Sequence, residues 1–390
     1  MNTLSDLNVS GQRVLVRVDF NVPLDGDTIT DDTRIRGALP TLQALLNAGA
    51  RPILMSHLGR PKGEVRPEFS LRPVAGRLRE LLGGPEVVFC KHTVGPDAEA
   101  CIASAPNGAV VLLENTRFLP GETKNDAELA GQLAELADVF VSDAFGSVHR
   151  AHASTAGVAA HVSSTAAGTL LERELTFLTK ALDDPARPFV AILGGAKVSD
   201  KIGVIEALAP KVDRLLIGGA MAYTFLAAQG EGTGTSLIEE DRIDDARALL
   251  TRFADTLMIP TDHVVADAFA ADASSKTVVG AIPDGWMGLD IGRETRDAYV
   301  AEIQKAETVI WNGPMGVFEM EPFAQGTLAV ANALAETTTS GALTVVGGGD
   351  SVAAIQQAGL ADAVTHVSTG GGAMLEFMEG QTLPGVAALG

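Results

Sequence analysis

Val14-Leu15-Val16-Arg17-Val18 runs directly into Asp19-Phe20-Asn21-Val22-Pro23, and the fold turns on how that stretch is read. A short β-branched run that stops at a polar, Pro-marked turn reads as a buried strand delivering side chains at its end. The same pattern returns at Pro52–Met55, Val87–Phe89, Val110–Leu113, Val139–Val141, Phe189–Leu193, Leu215–Ile217, Val264–Val265, Thr308–Trp311 and Leu343–Val346. Between these runs lie Ala/Leu/Glu-rich segments of helical character, among them Leu71–Leu82, Ala127–Ala137 and Gly326–Ala335. Strand–helix alternation over the whole length predicts βαβ units and parallel sheets. So many strands overfill one sheet, so the expected fold class is α/β, with two doubly wound parallel-sheet domains.

Leu171, Leu175 and Leu178 share one face of a helix that Asp183-Asp184-Pro185 ends, because Pro disfavours α geometry in the residue before it. Residues 1–170 are therefore expected to form one domain, 171–187 a linker helix that serves as the hinge, and 188–374 a second domain. The 390 residues are 46% hydrophobic and 20% charged, with aromatics at only 5%. A core of Ala, Val, Leu and Ile suits buried parallel strands. The net charge of −20 argues against a nucleic-acid partner. Cys90 and Cys101 form no Cys-x-x-Cys, so reduced thiols are expected rather than a metal knuckle. Residues 1–6 show no signal-peptide pattern, and no apolar run reaches the ~18 residues of a membrane span. A cytoplasmic location with no membrane partner is expected.

Ligands of open α/β sheets bind beyond the carboxyl ends of the strands. In the first half those ends deliver Asp19 and Asn21, then His57 and Arg60, then Arg117, then Arg150, with Arg34 following the first strand after a turn. One such arginine is ordinarily a solvated ion-pair partner. A set of them at neighbouring strand ends points to a small polyanion, which the guanidinium fork suits.

The second half carries glycines instead. Phe189–Leu193 leads into Gly194-Gly195-Ala196-Lys197-Val198-Ser199-Asp200-Lys201, and Leu215–Ile217 into Gly218-Gly219. Thr308–Trp311 leads into Asn312-Gly313-Pro314, and Leu343–Val346 into Gly347-Gly348-Gly349-Asp350-Ser351, with Gly370-Gly371-Gly372 further on. Glycine lets backbone N–H groups approach phosphate, and lysine adds a point charge. Asp350 is a hard oxygen ligand suited to Mg²⁺. A single loop of this kind is ordinarily just a tight turn; five of them favour a nucleotide. Gly230, Gly232 and Gly234 read as a surface loop. No P-loop and no G-x-G-x-x-G occurs, which weakens a nicotinamide-dependent dehydrogenase. A non-catalytic nucleotide-binding regulator is the other alternative.

In their order, these motifs resemble those of phosphoglycerate kinases, from Arg13–Pro23 to Leu383-Pro384-Gly385, most specifically at Asp19–Pro23, Ser56–Pro61, Asp143–His152, Gly194–Ile202, Trp311–Glu319 and Gly347–Ser351. The resemblance implies two Rossmann-like domains joined by a hinge helix, with the C-terminal tail, 375–390, packing back on the first. It implies a 3-phosphoglycerate site of Asp19, Asn21, Arg34, His57, Arg60, Arg117 and Arg150. It implies an ADP/ATP site of Lys197, Lys201, Gly218, Gly219, Gly292, Glu319, Gly348, Gly349, Asp350 and Ser351, with Asp350 near Mg²⁺. The implied reaction is phosphoryl exchange between 1,3-bisphosphoglycerate and ADP by a monomer. The attacking carboxylate or phosphate is already ionised, so no general base is needed. Arg34 and Lys197 are the expected charge clamp, with N–H groups of Gly348 and Gly371 beside it. One departure is Arg293 after Gly292, where relatives often have Pro.

Overall fold

The computed structural model describes residues 1–390. The first unit comprises Met1–Thr176 and Thr382–Gly390. It holds β1 (Arg13–Val18), a small hairpin of β2 (Leu24–Asp25) and β3 (Thr28–Ile29), β4 (Arg51–Met55), β5 (Val87–Phe89), β6 (Val110–Leu112), β7 (Val139–Asp143) and β8 (Thr165–Ala167). Apart from the hairpin these form one sheet in the order β5-β6-β4-β1-β7-β8, with every pairing parallel. Its helices are α1 (Thr33–Asn47), α2 (Arg72–Leu82), α3 (Pro96–Ser104), α4 (Ala127–Ala134) and the start of α5 (Thr169–Asp183).

Period-two alternation on β1 sends Val14, Val16 and Val18 into the core with Ile35, Leu42, Leu54 and Leu78. Leu15 and Arg17 therefore face the opposite side of the sheet, and Arg17 is fully buried there. α4 starts where the Asp126 carboxylate accepts from Leu129 N at 2.9 Å. It ends at Ala134, short of the expected Ala137, because the last residues tighten into turns.

The second unit comprises Phe177–Gln381. Its strands are β9 (Phe189–Leu193), β10 (Arg214–Ile217), β11 (Leu257–Met258), β12 (Asp262–Ala266), β13 (Ser275–Val279), β14 (Met287–Ile291), β15 (Thr308–Asn312), β16 (Leu343–Gly347) and β17 (His366–Val367). The main sheet runs β11-β10-β9-β15-β16-β17, all parallel. Its helices are α6 (Ile202–Leu208), α7 (Met221–Ala228), α8 (Ile243–Arg252), α9 (Arg293–Ile303), α10 (Gln325–Thr339), α11 (Gly349–Gln357) and α12 (Gly371–Met378). A last helix, α13 (Pro384–Ala387), belongs to the first unit, where Gly385 N donates to Val148 O at 2.8 Å.

The α/β class with two parallel six-stranded sheets is as expected. Val264–Val265 differs: it lies in β12, the middle of a three-stranded antiparallel sheet ordered β13-β12-β14. So short an apolar run carries no sign of strand direction. The tail that returns to the first unit starts at Thr382 rather than at 375, because 375–381 complete α12 and the turn after it in the second unit. The change of unit falls inside α5, between Thr176 and Phe177. No helix is long and apolar enough to cross a membrane.

The first turn of α5 rests on a buried acid. Asp143, at the end of β7, accepts from Leu170 N at 2.9 Å and Leu171 N at 3.3 Å, and a Cβ on Gly168 would come within 2.3 Å of the same carboxylate. Burial pushes the Asp143 carboxyl up from 3.8 to about 7 against these hydrogen bonds. The folded state therefore holds a proton that the unfolded chain releases near pH 4. The associated stability is complete below that pH and is lost as the pH rises through about 7. Urea unfolding from pH 5 to pH 8 should show wild type losing stability relative to Asp143→Asn. A pH-independent difference between the two would refute this.

Candidate functional site

In the first unit, four adjacent strands, β6, β4, β1 and β7, end beside one another. The loops beyond them are fastened by side chains. Ser56 Oγ accepts from Phe20 N at 2.8 Å, and Asn21 Oδ1 accepts from Gly59 N at 2.8 Å, which joins the β1 and β4 loops. Asn115, with no exposure, joins the β4 and β6 loops. Its Oδ1 accepts from Leu58 N and Arg117 N, and its Nδ2 donates to Leu58 O and Phe69 O at 2.7 and 2.9 Å.

On this frame Arg34 pairs with Asp19 at 2.6 Å, and Ser147 Oγ donates to the same Asp19 oxygen at 3.3 Å. Burial opposes ionisation of Asp19, but His57, then the guanidiniums of Arg34 and Arg17 and a hydrogen bond from Asn21 N, hold its carboxyl well below the usual range. Arg117 is 8% exposed; its Nη donates to Gly59 O at 2.7 Å while its Nε has no partner. Burial, then the charges of Arg150 and Arg17, push the Arg117 guanidinium down to about 10. Arg150 Nε donates to His149 Nε2 at 3.1 Å. Arg60, Arg117 and Arg150 line one recess of about 530 Å³ with Lys62, Lys124 and His152. Like charges held this close, with a buried donor unspent, suit an anion with several charges. A larger recess of about 640 Å³ lies by the β2–β3 hairpin, but its Asp32 is already bound by Arg36 and Arg77, both at 2.7 Å.

His57 is 3% exposed. Burial holds its imidazole well below the ordinary value, Asp19 pulls the other way, and Arg17, Arg117 and Arg150 reinforce the burial. Sequence reasoning passed over Arg17, Asn115, Glu122 and Ser154, all buried and all bonded to site loops. One signal was available: an arginine in the middle of an otherwise apolar strand.

In the second unit the corresponding ends are those of β10, β9, β15 and β16, again adjacent. Their loops interlock through main chain. Gly194 N donates to Asn312 O at 2.9 Å, Gly195 N to Pro314 O at 3.2 Å and Gly219 N to Met315 O at 3.0 Å. At Gly194 an added Cβ would lie 2.0 Å from Pro314 O, and at Gly313 2.2 Å from Gly194 O. Gly219 (φ +68°) needs the left-handed region and touches Gly195 main chain as well. Gly218 is packed under the Met315 sulfur, and Gly292 against the Asp262 carboxylate. These glycines are required by packing alone. Gly349 and Gly371 are not: a Cβ on either would meet nothing within 4 Å, and each opens a helix, α11 and α12. Open space over a helix start with free N–H groups suits phosphate.

Lys201 is 8% exposed and bonds Asn312 Oδ1. Burial pushes its ammonium down to about 8, against the pull of Asp200 and Asp350. Asp350 is exposed on the first turn of α11, beside Gly348 (φ +92°). Ser351 is fully buried, and its hydroxyl accepts from Gly313 N at 2.5 Å, so it fastens the β15 loop to the β16 loop. Lys197 and Glu319 are exposed. Arg293 is the first helical residue of α9, a position that favours Pro but tolerates others. The Asp262 carboxylate accepts from Glu294 N and Thr295 N at 3.0 and 2.8 Å and caps the helix regardless.

The sequence profile of the family described as phosphoglycerate kinase matches residues 4–381. Among curated relatives, the phosphoglycerate kinase of Chloroflexus aurantiacus is 59% identical over 99% of this chain and 98% of its own, and that of Chloroflexus aggregans is 58% identical over the same shares. Among solved structures, phosphoglycerate kinase from Coxiella burnetii superposes with a TM-score of 0.89 at 43% identity, covering 99% of this chain and 98% of its own. That from Pyrococcus horikoshii superposes at 0.87 and 32% identity, covering 100% and 98%.

Proposed function

Since this chain belongs to the phosphoglycerate kinase family, a phosphotransferase that reversibly moves a phosphoryl group from 1,3-bisphosphoglycerate to ADP in glycolysis, we propose that its first unit holds the glycerate and its second the nucleotide. The observation that carries this division is the recess of Arg60, Arg117 and Arg150, with the Arg117 Nε–H unspent, set against the open helix starts at Gly349 and Gly371.

Asp19, Asn21, Arg34, His57, Arg60, Arg117 and Arg150 bind 3-phosphoglycerate. Lys197, Lys201, Gly218, Gly219, Gly292, Glu319, Gly348, Gly349, Asp350 and Ser351 form the nucleotide site, Ser351 through the loop it fastens. Mg²⁺ ordinarily takes one or two protein carboxylates and completes its shell with phosphate and water, and exposed Asp350 is such a carboxylate. When bound there, the ion neutralises nucleotide phosphate charge. The acceptor carboxylate attacks unaided, and Arg34, Lys197 and the N–H groups of Gly348 and Gly371 stabilise charge on the transferring group. The chain acts as a cytoplasmic monomer; sedimentation as a dimer at working concentration would overturn the monomer.

Calorimetric titration of the full chain tests the division. Arg150→Ala should lose about tenfold or more in 3-phosphoglycerate affinity and keep its ADP affinity, while Asp350→Asn does the reverse. Loss of ADP affinity alone in Arg150→Ala would sink it. Ligands held on separate units must be brought into line before transfer, and α5 is the proposed hinge. Solution scattering should give the smallest radius of gyration with both ligands bound; an unchanged radius removes the hinge.

A further inference from the structure

We propose that Ser154 and Glu122 are positioning residues which, through Arg17, fix His57 as the neutral imidazole carrying its proton on Nε2; the proposal rests on the reading of His57 as a glycerate ligand. Arg17 has no exposure, and each of its three guanidinium nitrogens has a partner. Nε donates to Ser154 Oγ at 2.8 Å, one terminal nitrogen to Val18 O, and the other lies 3.1 Å from His57 Nδ1. A guanidinium has only donors. Nδ1 of His57 must therefore accept, which leaves the ring proton on Nε2.

Ser154 has one hydroxyl proton, and it goes to Glu122 Oε1 at 2.5 Å, leaving lone pairs for Arg17. Glu122, also without exposure, takes Thr116 Oγ at 3.1 Å and Ser154 N at 3.0 Å. The donors run outward from Arg17 in both directions, to His57 on one side and through Ser154 to Glu122 on the other. Glu122 and Asp19 are the counter-charges that a buried arginine needs, and Glu122 reaches Arg17 through the serine. Without the hydroxyl, Arg17 Nε–H is unpaired in a dry interior with a carboxylate behind it. Turning toward that carboxylate costs the bond to Nδ1.

Ser154 sits in a π-type turn, Ala153–Gly157, in which Thr155 N, Ala156 N and Gly157 N converge on His152 O at 3.1, 2.9 and 3.2 Å. Such turns cluster at functional sites. The groups facing His57 are Asp19, Arg17, Arg117 and Arg150, and the burial that outweighs Asp19 keeps the ring neutral. A neutral ring with Nε2–H offers a donor, the polarity that an anionic ligand requires; the other tautomer offers a lone pair.

The test reads the tautomer directly. Two-bond proton–nitrogen correlation spectra of the ¹⁵N-labelled full chain, without ligand at neutral pH, should show His57 as the Nε2–H form, with the signal assigned by its loss in His57→Gln. In Ser154→Ala and Glu122→Gln the tautomers should mix, and KM for 3-phosphoglycerate should rise about tenfold with kcat within about threefold. A His57 that carries its proton on Nδ1, or is an imidazolium, overturns the proposal in wild type alone. Retention of both the Nε2–H form and wild-type KM in the two variants, whatever their stability, overturns it too. If Ser154→Ala does not fold, the isosteric Glu122→Gln decides. A mixed tautomer with unchanged KM supports the relay and instead overturns His57 as a glycerate ligand.

Discussion

Arg34→Ala lowers kcat by at least about a hundredfold and leaves KM for 3-phosphoglycerate within about tenfold, because a donor aimed at developing charge contributes about 2.7–4 kcal/mol in the transition state alone. From sequence, Arg34 could equally have been the ion-pair partner of Asp31 or Asp32. It pairs with neither: Asp31 accepts from Thr33 N at 2.8 Å, and Asp32 is held by Arg36 and Arg77. Arg34 instead meets Asp19, itself a candidate ligand residue, and its side chain stays 36% exposed. If pairing with Asp19 were its whole role, Arg34→Ala would cost stability and leave kcat of the folded fraction near wild type. Arg150→Ala is the control, expected to raise KM more than it lowers kcat. Steady-state kinetics normalised to folded protein by circular dichroism decide.

Lys201→Met weakens nucleotide binding about a hundredfold, the loss expected for a charge-assisted bond worth about 3 kcal/mol. Lys201 is nearly buried, bonded to Asn312 and pulled on by Asp200 and Asp350. Its ammonium titrates near 8 in the free protein, and phosphate favours the charged form. ADP binding above that pH should therefore take up a proton in wild type and none in Lys201→Met. Calorimetry in buffers of different ionisation enthalpy measures this. An equal proton uptake in both proteins would assign the titration to another group.

Much of the architecture was legible because buried parallel strands are written as contiguous apolar runs, and polar residues at their ends mark the ligand side. Each run named from sequence marks a strand, while β2, β3, β8, β11 and β17 went unseen, being two or three residues long, and so did β13 and β14, whose apolar residues are interrupted by polar residues and glycine. The site was legible where chemistry is conspicuous, in arginines and glycines. It was illegible where one residue serves another. Ser154 and Arg17 are 137 positions apart, and no local pattern links them. The resemblance put Ser351 in the nucleotide site, and its hydroxyl is bonded to Gly313 N.

Where the loops of β9 and β15 cross, Gly194 and Gly313 each abut main chain rather than a side chain. That limits what variation can do there. A clash with a neighbouring leucine can be relieved by a second substitution that shrinks the leucine. A clash with Pro314 O or Gly194 O has no such suppressor, since every residue brings the same carbonyl. These two positions should be reachable by no pair of substitutions, however mild, and a library selected for second-site rescue should return only glycine at both.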